Sequence, residues 1–292
     1  MDVHAPSPRR SSATAALLVV AVGVSVQTGS ALAVEVIGSV GVIEALWLRT
    51  AIAALILAAV RPRALRLPPP GHRLGVAALA LSLLAMNLSF YEAISRAPVG
   101  LVVAIEFVGP LAVAVLGSRR PLDFVWIVLA AAGVAVLAGP SGSIGGAGLV
   151  FALIAAAGWA SYLLLAKRSM QGIDPLPLTT LMLAGSAVLL TPLLLVGDVA
   201  IAGHHRAVAL GAAVAVLSSA LPYVLEMVAL RLVRAATYGV LLSIEPAIAA
   251  LAAWAILGQR LAALEIAAMA AVMVAAAGAS LFAAEQASPM PA

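Results

Sequence analysis

Long apolar runs separated by short polar connectors organise this chain. A helix needs about 20 apolar residues to cross the hydrocarbon core of a bilayer, and fewer where the bilayer adapts. The connectors are rich in Pro, Gly and charge, as in the segment from Arg61 to Arg73. The pattern predicts ten spanning helices, at roughly 14–37, 42–60, 74–94, 98–117, 122–138, 147–166, 177–196, 207–229, 236–257 and 262–283.

The ten predicted helices divide into two halves of five. The first half spans 14–138 and the second spans 147–283, with cytoplasmic tails predicted at 1–13 and 284–292. Because each half holds an odd number of helices, the two halves would insert in opposite orientations. Inverted repeats of this kind are typical of secondary transporters, whose substrate site lies between the repeats. The sequence therefore predicts an all-α membrane protein built from two inverted five-helix repeats.

A carboxylate occupies matched positions in the two halves. At a fixed offset of 139 residues, Gly100 aligns with Gly239 and Glu106 aligns with Glu245. A charge in hydrocarbon costs at least about 2.5 kcal/mol on insertion scales, so an intramembrane Glu is a candidate functional residue. Prolines near these positions remove a backbone donor and allow a helix to bend beside a cavity. The predicted helix-bending residues are Pro110, Pro222 and Pro246.

Composition and charge support a membrane protein. The 292 residues are 64% hydrophobic and 10% charged, whereas globular proteins are about 25% charged. The net charge of +4 comes from scattered Arg pairs that form no basic face, which argues against a nucleic-acid partner. Basic residues prefer cytoplasmic loops, and an inside N-terminus puts most of them there, so both termini are predicted to be cytoplasmic. The chain has no Cys, and its four His residues lack ligand spacing, so neither a metal nor a cofactor is predicted.

Charged residues inside the predicted spans are the leading site candidates. Arg49 is always charged, so it must snorkel to the outer interface, pair with a carboxylate or bind a substrate carboxylate. Glu106 and Glu245 could line a cavity or be structural carboxyls, protonated or hydrogen-bonded between helices. Tyr223 and Glu226 share one helix face, although interfacial solvation would also explain Glu226.

Uncharged polar and aromatic residues extend this set. Asn87 and Tyr91 are spaced i, i+4, and their face could offer hydrogen bonds to a pore. Helix packing through Asn87 is the alternative. Gln27, Trp159 and Tyr162 complete the candidates, and packing alone would also explain Trp159.

Missing motifs narrow the class of protein. The sequence contains no GxxxxGK[ST] phosphate loop, no HExxH pair and no GxSxG elbow. An ATP-driven pump and a soluble-type hydrolase are therefore disfavoured, and transport would have to draw on a solute or ion gradient. Two alternatives to a transporter remain, namely a non-transporting assembly partner and an intramembrane enzyme. The buried Glu residues lack a nucleophile and base constellation, which argues against an enzyme.

Several segments carry a family resemblance. They are SVQTGSALA, LWLRTAIAALIL, MNLSFYEAI and AIEFVGPLAVAVLGSRRPLDFVWIVLAAAG in the first half, and AVLSSALPYVLEMVAL and GVLLSIEPAIAALAAWAILGQ in the second. With them the chain resembles the EamA-type family of the drug/metabolite transporter superfamily. The similarity covers nearly the whole chain except both tails and the loops near 61–73 and 198–206. One departure is Glu92, where relatives are expected to carry a small or apolar residue.

The resemblance implies a function. It implies a ten-helix inverted-repeat fold with a central cavity lined by both halves, and export of small amino acids such as threonine and homoserine across a bacterial inner membrane. From the residues themselves we expect alternating access as an antiporter, with proton uptake by a buried Glu as a possible coupling step. Other substrates of the same fold, such as aromatic or branched amino acids or cationic compounds, remain alternatives. The implied partners are an amino acid, protons and the lipid bilayer. The resemblance favours as cavity or gating positions Gln27, Arg49, Asn87, Tyr91, Glu106, Tyr223, Glu226 and Glu245.

Overall fold

The computed structural model of the chain is helical in every regular element that it describes. It describes residues 8–116, 122–139, 143–169, 173–196, 201, 203–223, 225 and 242–286. The helices are α1 (Pro8–Val40), α2 (Val42–Val60), α3 (Pro70–Ile94), α4 (Val99–Glu106), α5 (Val108–Leu116), α6 (Leu122–Leu137), α7 (Gly146–Ser169), α8 (Pro175–Val196), α9 (His205–Ala215), α10 (Glu245–Leu257) and α11 (Ala263–Gln286). A 3₁₀ turn at Pro62–Leu65 and a π turn at Val216–Ala220 accompany them.

Many of these helices have the length and hydropathy of membrane spans. Within the described part of the chain, seven helical segments are long and apolar enough to cross a bilayer: the spans within α1, α2, α3, α7, α8 and α11, and the segment His205–Tyr223 that joins α9 to the π turn. Three shorter apolar segments accompany them, at Val99–Val113, Phe124–Leu137 and Glu245–Leu257. The predicted all-helical membrane fold is thereby confirmed. The count of ten spans stays a prediction.

Two predicted helices are interrupted beside the buried Glu residues. The predicted span 98–117 breaks at Phe107, directly after Glu106, because Pro110 has no N–H for the Glu106 carbonyl four residues back. In the described part of the predicted span 236–257, a turn at Ser243 and Ile244 precedes α10. Other bounds differ by a few residues, since α1 begins at 8 and α11 continues to 286.

Helices of the two halves pack reciprocally. In the first half α1 packs on α9 and α10, and in the second half α7 packs on α3 and on the broken pair α4 and α5. Helices at matching places in the two predicted repeats also meet, since α2 packs on α8, α4 on α10 and α6 on α11. The α4–α10 crossing is close because Gly100 has no side chain: a Cβ there would lie 2.9 Å from Ala250 Cα. The halves are therefore interleaved, and their shared centre lies between α1, α2, α3, α4, α7 and α10.

The outer surface is apolar while polar side chains lie inside. Large apolar side chains such as Leu74 and Val196 are exposed, which suits contact with lipid tails and is rare on soluble proteins. Charged side chains are buried in the interior, where a typical soluble protein has apolar side chains. The buried charged or amide side chains of this chain include Gln27, Arg49, Asn87, Glu106 and Glu245.

Candidate functional site

A cavity of about 110 Å³ lies at the centre of the interleaved halves. Its polar and aromatic lining is Gln27, Ser30, Arg49, Asn87, Phe90, Glu106, Trp159, Tyr162, Ser218, Tyr223 and Glu245. Aliphatic side chains and Pro222 complete the wall. Eight of the ten side chains singled out from the sequence thus meet around one space. Of the other two, Tyr91 lies behind Arg49, and Glu226 lies outside the described residues.

Arg49 turns inward from α2. Its side chain is buried, and the guanidinium carbon lies 5.5 Å from the centre of the Tyr91 ring, within cation–π range. Nε donates to Ser219 Oγ at 2.9 Å, and Nη2 donates to the Ser218 carbonyl at 2.9 Å. Arg49 therefore does not reach for the outer interface. None of the ion pairs found among the described side chains involves it.

The π turn after α9 explains how Arg49 finds these acceptors. Pro222 has no N–H, so it can donate neither to the carbonyl of Ser218, four residues back, nor to that of Leu217, five residues back. Side chains from the first half supply the missing donors. Arg49 donates to Ser218, and Ser25 Oγ donates to the Leu217 carbonyl at 2.7 Å. The bend at Pro222 thus joins α9 to α1 and α2.

Glu106 ends α4 at the helix break and faces the cavity. It is 8% exposed, and no hydrogen bond or ion pair to its carboxyl is found in the described structure. Burying an unpartnered carboxyl is costly, and such a group in a native fold calls for an explanation such as catalysis or ligand binding. A ligand that enters the cavity would meet this carboxyl directly.

Glu245 reaches the same cavity from the first turn of α10. Its Oε2 accepts from Gln27 Nε2 on α1 at 3.5 Å, and the amide oxygen of Gln27, Oε1, is buried without a partner. Gly23 lets α1 approach α10, because a Cβ there would lie 3.0 Å from Ile248 Cδ1. A helix N-terminus favours a negative charge, so α10 suits a carboxylate at this place.

Aromatic and amide groups form the rest of the wall. Trp159 of α7 meets Phe107 edge to face, with ring centres 4.9 Å apart, directly at the break after Glu106. Asn87 lines the cavity while its Nδ2 donates to the Leu83 carbonyl at 2.9 Å. Trp159 therefore both packs and faces the cavity, and the two explanations offered for it are compatible.

Some functional features were not evident in the sequence. Ser218 and Ser219 hold Arg49 but were not singled out, although the segment SSALP shows two serines shortly before a proline. Glu92, the departure from the family pattern, lies away from the cavity. It pairs with Arg96, whose guanidinium lies 5.0 Å from the Phe151 ring centre.

A cavity with charged side chains at the centre of packed apolar helices is typical of secondary transporters. Comparison with known proteins places the chain more narrowly. The sequence pattern described as the EamA-like transporter family matches residues 146–281. The chain belongs to this family. It is therefore a multi-pass membrane protein related to transporters and not an enzyme.

Individual relatives extend the match over most of the chain. The threonine/homoserine exporter RhtA of Salmonella typhimurium strain SL1344 is 40% identical over 265 residues, which cover 88% of this chain and 88% of the relative. The protein of the same name from Escherichia coli strain K12 is 39% identical over the same shares. A solved crystal structure shares the fold with a TM-score of 0.67 at 17% identity, covering 94% of this chain and 99% of the other.

Proposed function

We propose that this chain exports small amino acids, threonine and homoserine among them, from the cytoplasm across a bacterial inner membrane. Two relatives that carry this activity in their names support the proposal, since each matches 88% of this chain at about 40% identity. The single structural observation that carries it is the central cavity, where one cation and two acids face one small space.

The cavity chemistry suits a zwitterion. The carboxylate of an amino acid can accept hydrogen bonds from Arg49, because a guanidinium matches a carboxylate geometrically. Its ammonium can be bound by Glu106 or Glu245, and the side-chain hydroxyl of threonine or homoserine by Asn87. One molecule would satisfy both signs of charge, whereas a cationic drug would offer Arg49 no carboxylate.

The cavity size favours small solutes. A cavity of about 150 Å³ holds benzene, and pockets for drug-sized ligands occupy about 300–1,000 Å³. At about 110 Å³ this cavity is below both. Threonine and homoserine are larger than benzene, so the cavity would have to widen to admit them, and aromatic amino acids or larger cationic compounds would require it to widen further.

Alternating access between two inverted halves is the proposed transport cycle. The proposed repeats are 14–138 and 147–283, which form ten spans and leave both termini in the cytoplasm. The reciprocal packing of α1 on α10 and of α7 on α4 and α5 supports a two-fold relation between the halves. The helix breaks beside Glu106 and Glu245 support hinges at related positions in each half. Rocking of one half against the other would open the cavity to each side in turn.

Counterflow into proteoliposomes tests the substrate. Vesicles loaded with unlabelled threonine should accumulate labelled threonine, and homoserine should compete. Leucine, phenylalanine and a quaternary ammonium compound should compete weakly. A protein that gives no flux with any amino acid would be a scaffold and not a transporter. Strong flux of phenylalanine without threonine flux would select the alternative substrate class.

Variants of the two acids test the cavity. Glu106→Gln and Glu245→Gln keep the side-chain shape and remove the charge, and each should slow threonine efflux. Wild-type efflux from the double variant would remove both residues from the mechanism. Proton coupling is tested separately, because an acidic exterior should accelerate efflux if protons enter as threonine leaves. Efflux that ignores an imposed pH gradient would exclude coupling while leaving transport intact.

A further inference from the structure

We propose that Ser219 and the π turn Val216–Ala220 are a positioning device that presents Arg49 to the substrate carboxylate. This inference rests on the proposed function, because it names how the same cavity recognises the acid group of an amino acid. Ser219 itself is fully buried and is not among the residues that line the cavity. Its effect on the substrate therefore has to pass through Arg49.

The hydrogen bonds occupy one edge of the guanidinium and leave the other available. A guanidinium has five N–H donors in a rigid fork. Nε and Nη2 form its side-on edge, and both are bound, to Ser219 Oγ and to the Ser218 carbonyl. The end-on edge consists of Nη1 and the second N–H of Nη2. No hydrogen bond from Nη1 is found in the described structure, and Arg49 lines the cavity.

The face of the guanidinium is fixed as well. The Tyr91 ring lies under it at 5.5 Å from the guanidinium carbon. With one edge bound and one face stacked, the side chain loses its rotational freedom on folding. Binding then costs less ordering entropy, which is the general benefit of a preorganised site. An end-on edge held in this way is suited to a bidentate bond with a carboxylate.

The π turn makes this arrangement possible. In an uninterrupted α-helix the Ser218 carbonyl would accept from the N–H of residue 222. Residue 222 is Pro, so this carbonyl is free to accept from Arg49. The turn also places Ser219 beside Nε. The segment SSALP thus supplies the hydroxyl, the carbonyl and the residue that keeps the carbonyl available.

Replacement of Ser219 by Ala tests the proposal. We compare the threonine KM in counterflow with the inhibition constant of threoninol, the analogue whose carboxylate is replaced by CH₂OH. Losing one hydrogen bond to a charged group should raise the threonine KM about tenfold. The maximal rate and the threoninol constant should stay near wild type, because threoninol presents no carboxylate to Arg49. Ser186→Ala is the matched control, since Ser186 is another buried serine that bonds across helices, to the Ala80 carbonyl.

Pro222→Ala tests the device without removing a polar group. The variant restores an N–H that can compete for the Ser218 carbonyl, so it should weaken the hold on Arg49. Its melting temperature should equal or exceed that of wild type, because replacing the proline allows a regular backbone hydrogen bond within the helix. Its threonine KM should nevertheless rise. Because Pro222 also lines the cavity, the effect is assigned to Arg49 only if the threonine KM rises while the threoninol constant stays near wild type.

The outcomes separate this inference from the proposed function. If wild-type protein neither binds nor moves threonine or homoserine, the proposed function fails. If wild type transports threonine but Ser219→Ala and Pro222→Ala keep the wild-type ratio of threonine KM to threoninol constant, the positioning role is overturned. A threoninol constant that worsens in parallel with the threonine KM would also overturn it, because the effect would not be specific for the carboxylate.

Discussion

Gln27 and Glu245, 218 residues apart in the chain, meet at the central cavity with Gln27 Nε2 3.5 Å from Glu245 Oε2. The contact joins α1 of the first half to α10 of the second. It is long for a hydrogen bond, whose usual N–O distance is 2.7–3.2 Å. The Gln27 amide oxygen is also buried without a partner. The pair therefore has room to shorten or open as the helices move, which suits a contact that changes during transport.

Gln27→Met should slow threonine efflux without unfolding the protein. Methionine keeps the length and removes the amide donor that Gln27 offers to Glu245 Oε2, so the buried carboxyl loses part of its stabilisation. We expect the efflux rate to fall about two- to tenfold, because a contact as long as 3.5 Å should be worth about 0.5–1.5 kcal/mol. Efflux of labelled threonine from proteoliposomes measures this. Ser39→Ala on the exposed end of α1 is the control, and a Gln27→Met rate equal to that control would contradict a role for the pair.

Gly100→Ala should destabilise the crossing of α4 and α10. The added Cβ would lie 2.9 Å from both Cα and Cβ of Ala250, so one backbone must move. Overpacking of this kind costs about 1–3 kcal/mol. The melting temperature in detergent should fall accordingly.

Gly38→Ala is the matched control for that crossing. Gly38 lies in α1 with nothing within 4 Å of its added Cβ. Alanine in an open helical position should be neutral or stabilising by up to about 1 kcal/mol. Equal melting temperatures for Gly38→Ala and Gly100→Ala would show that the crossing is looser than its geometry indicates.

Glu92→Ala should leave transport unchanged. Glu92 pairs with Arg96, which lies just past the end of α3; both side chains are partly exposed, and neither lines the cavity. A pair of this i, i+4 type contributes about 0.3–0.5 kcal/mol. Threonine KM and maximal rate should therefore match wild type, with a melting shift close to the error. A changed preference between threonine and homoserine would instead assign Glu92 a part in selectivity.

The sequence predicts the helical membrane fold well, because apolar runs of spanning length are a strong signal. It also identifies Glu106 and Glu245, since a carboxylate in an apolar run is rare and the fixed offset of 139 residues relates the two. Their meeting at one cavity depends on the packing of α1, α4, α7 and α10, which periodicity does not encode. The sequence therefore indicates which side chains are unusual and leaves their mutual distances to the structure.

Arg49 shows where sequence reasoning ends. Snorkelling, pairing and substrate binding were all open, because its direction depends on neighbours from a distant part of the chain. The inward direction of the Arg49 side chain is set by its hydrogen bonds to Ser218 and Ser219. These serines could not be recognised as acceptors from the sequence, because serines are common within apolar helices. The π turn was equally hidden, although Pro222 was recognised as a bending residue. Its consequence, a carbonyl available to a buried cation, appears only with the helices in place.

Trp159 should limit the size of the substrate. Its ring lines the cavity and meets Phe107 at 4.9 Å, so it closes the wall beside Glu106. Trp159→Leu keeps an apolar side chain but removes the ring, which enlarges the cavity on that side. Larger neutral amino acids should then enter. We expect leucine to compete with labelled threonine at least about tenfold better, since a missing clash with a hydrophobic wall is worth 1–3 kcal/mol.

A loss of threonine affinity should accompany this gain, because a small ligand would no longer be confined between Arg49 and Glu106. Trp254→Leu is the matched control, since Trp254 lies on α10 with its side chain exposed to the lipid side. That control should preserve both the threonine KM and the leucine competition. If Trp159→Leu folds, transports threonine and still rejects leucine as wild type does, selectivity is set by the polar groups of the cavity and not by its volume.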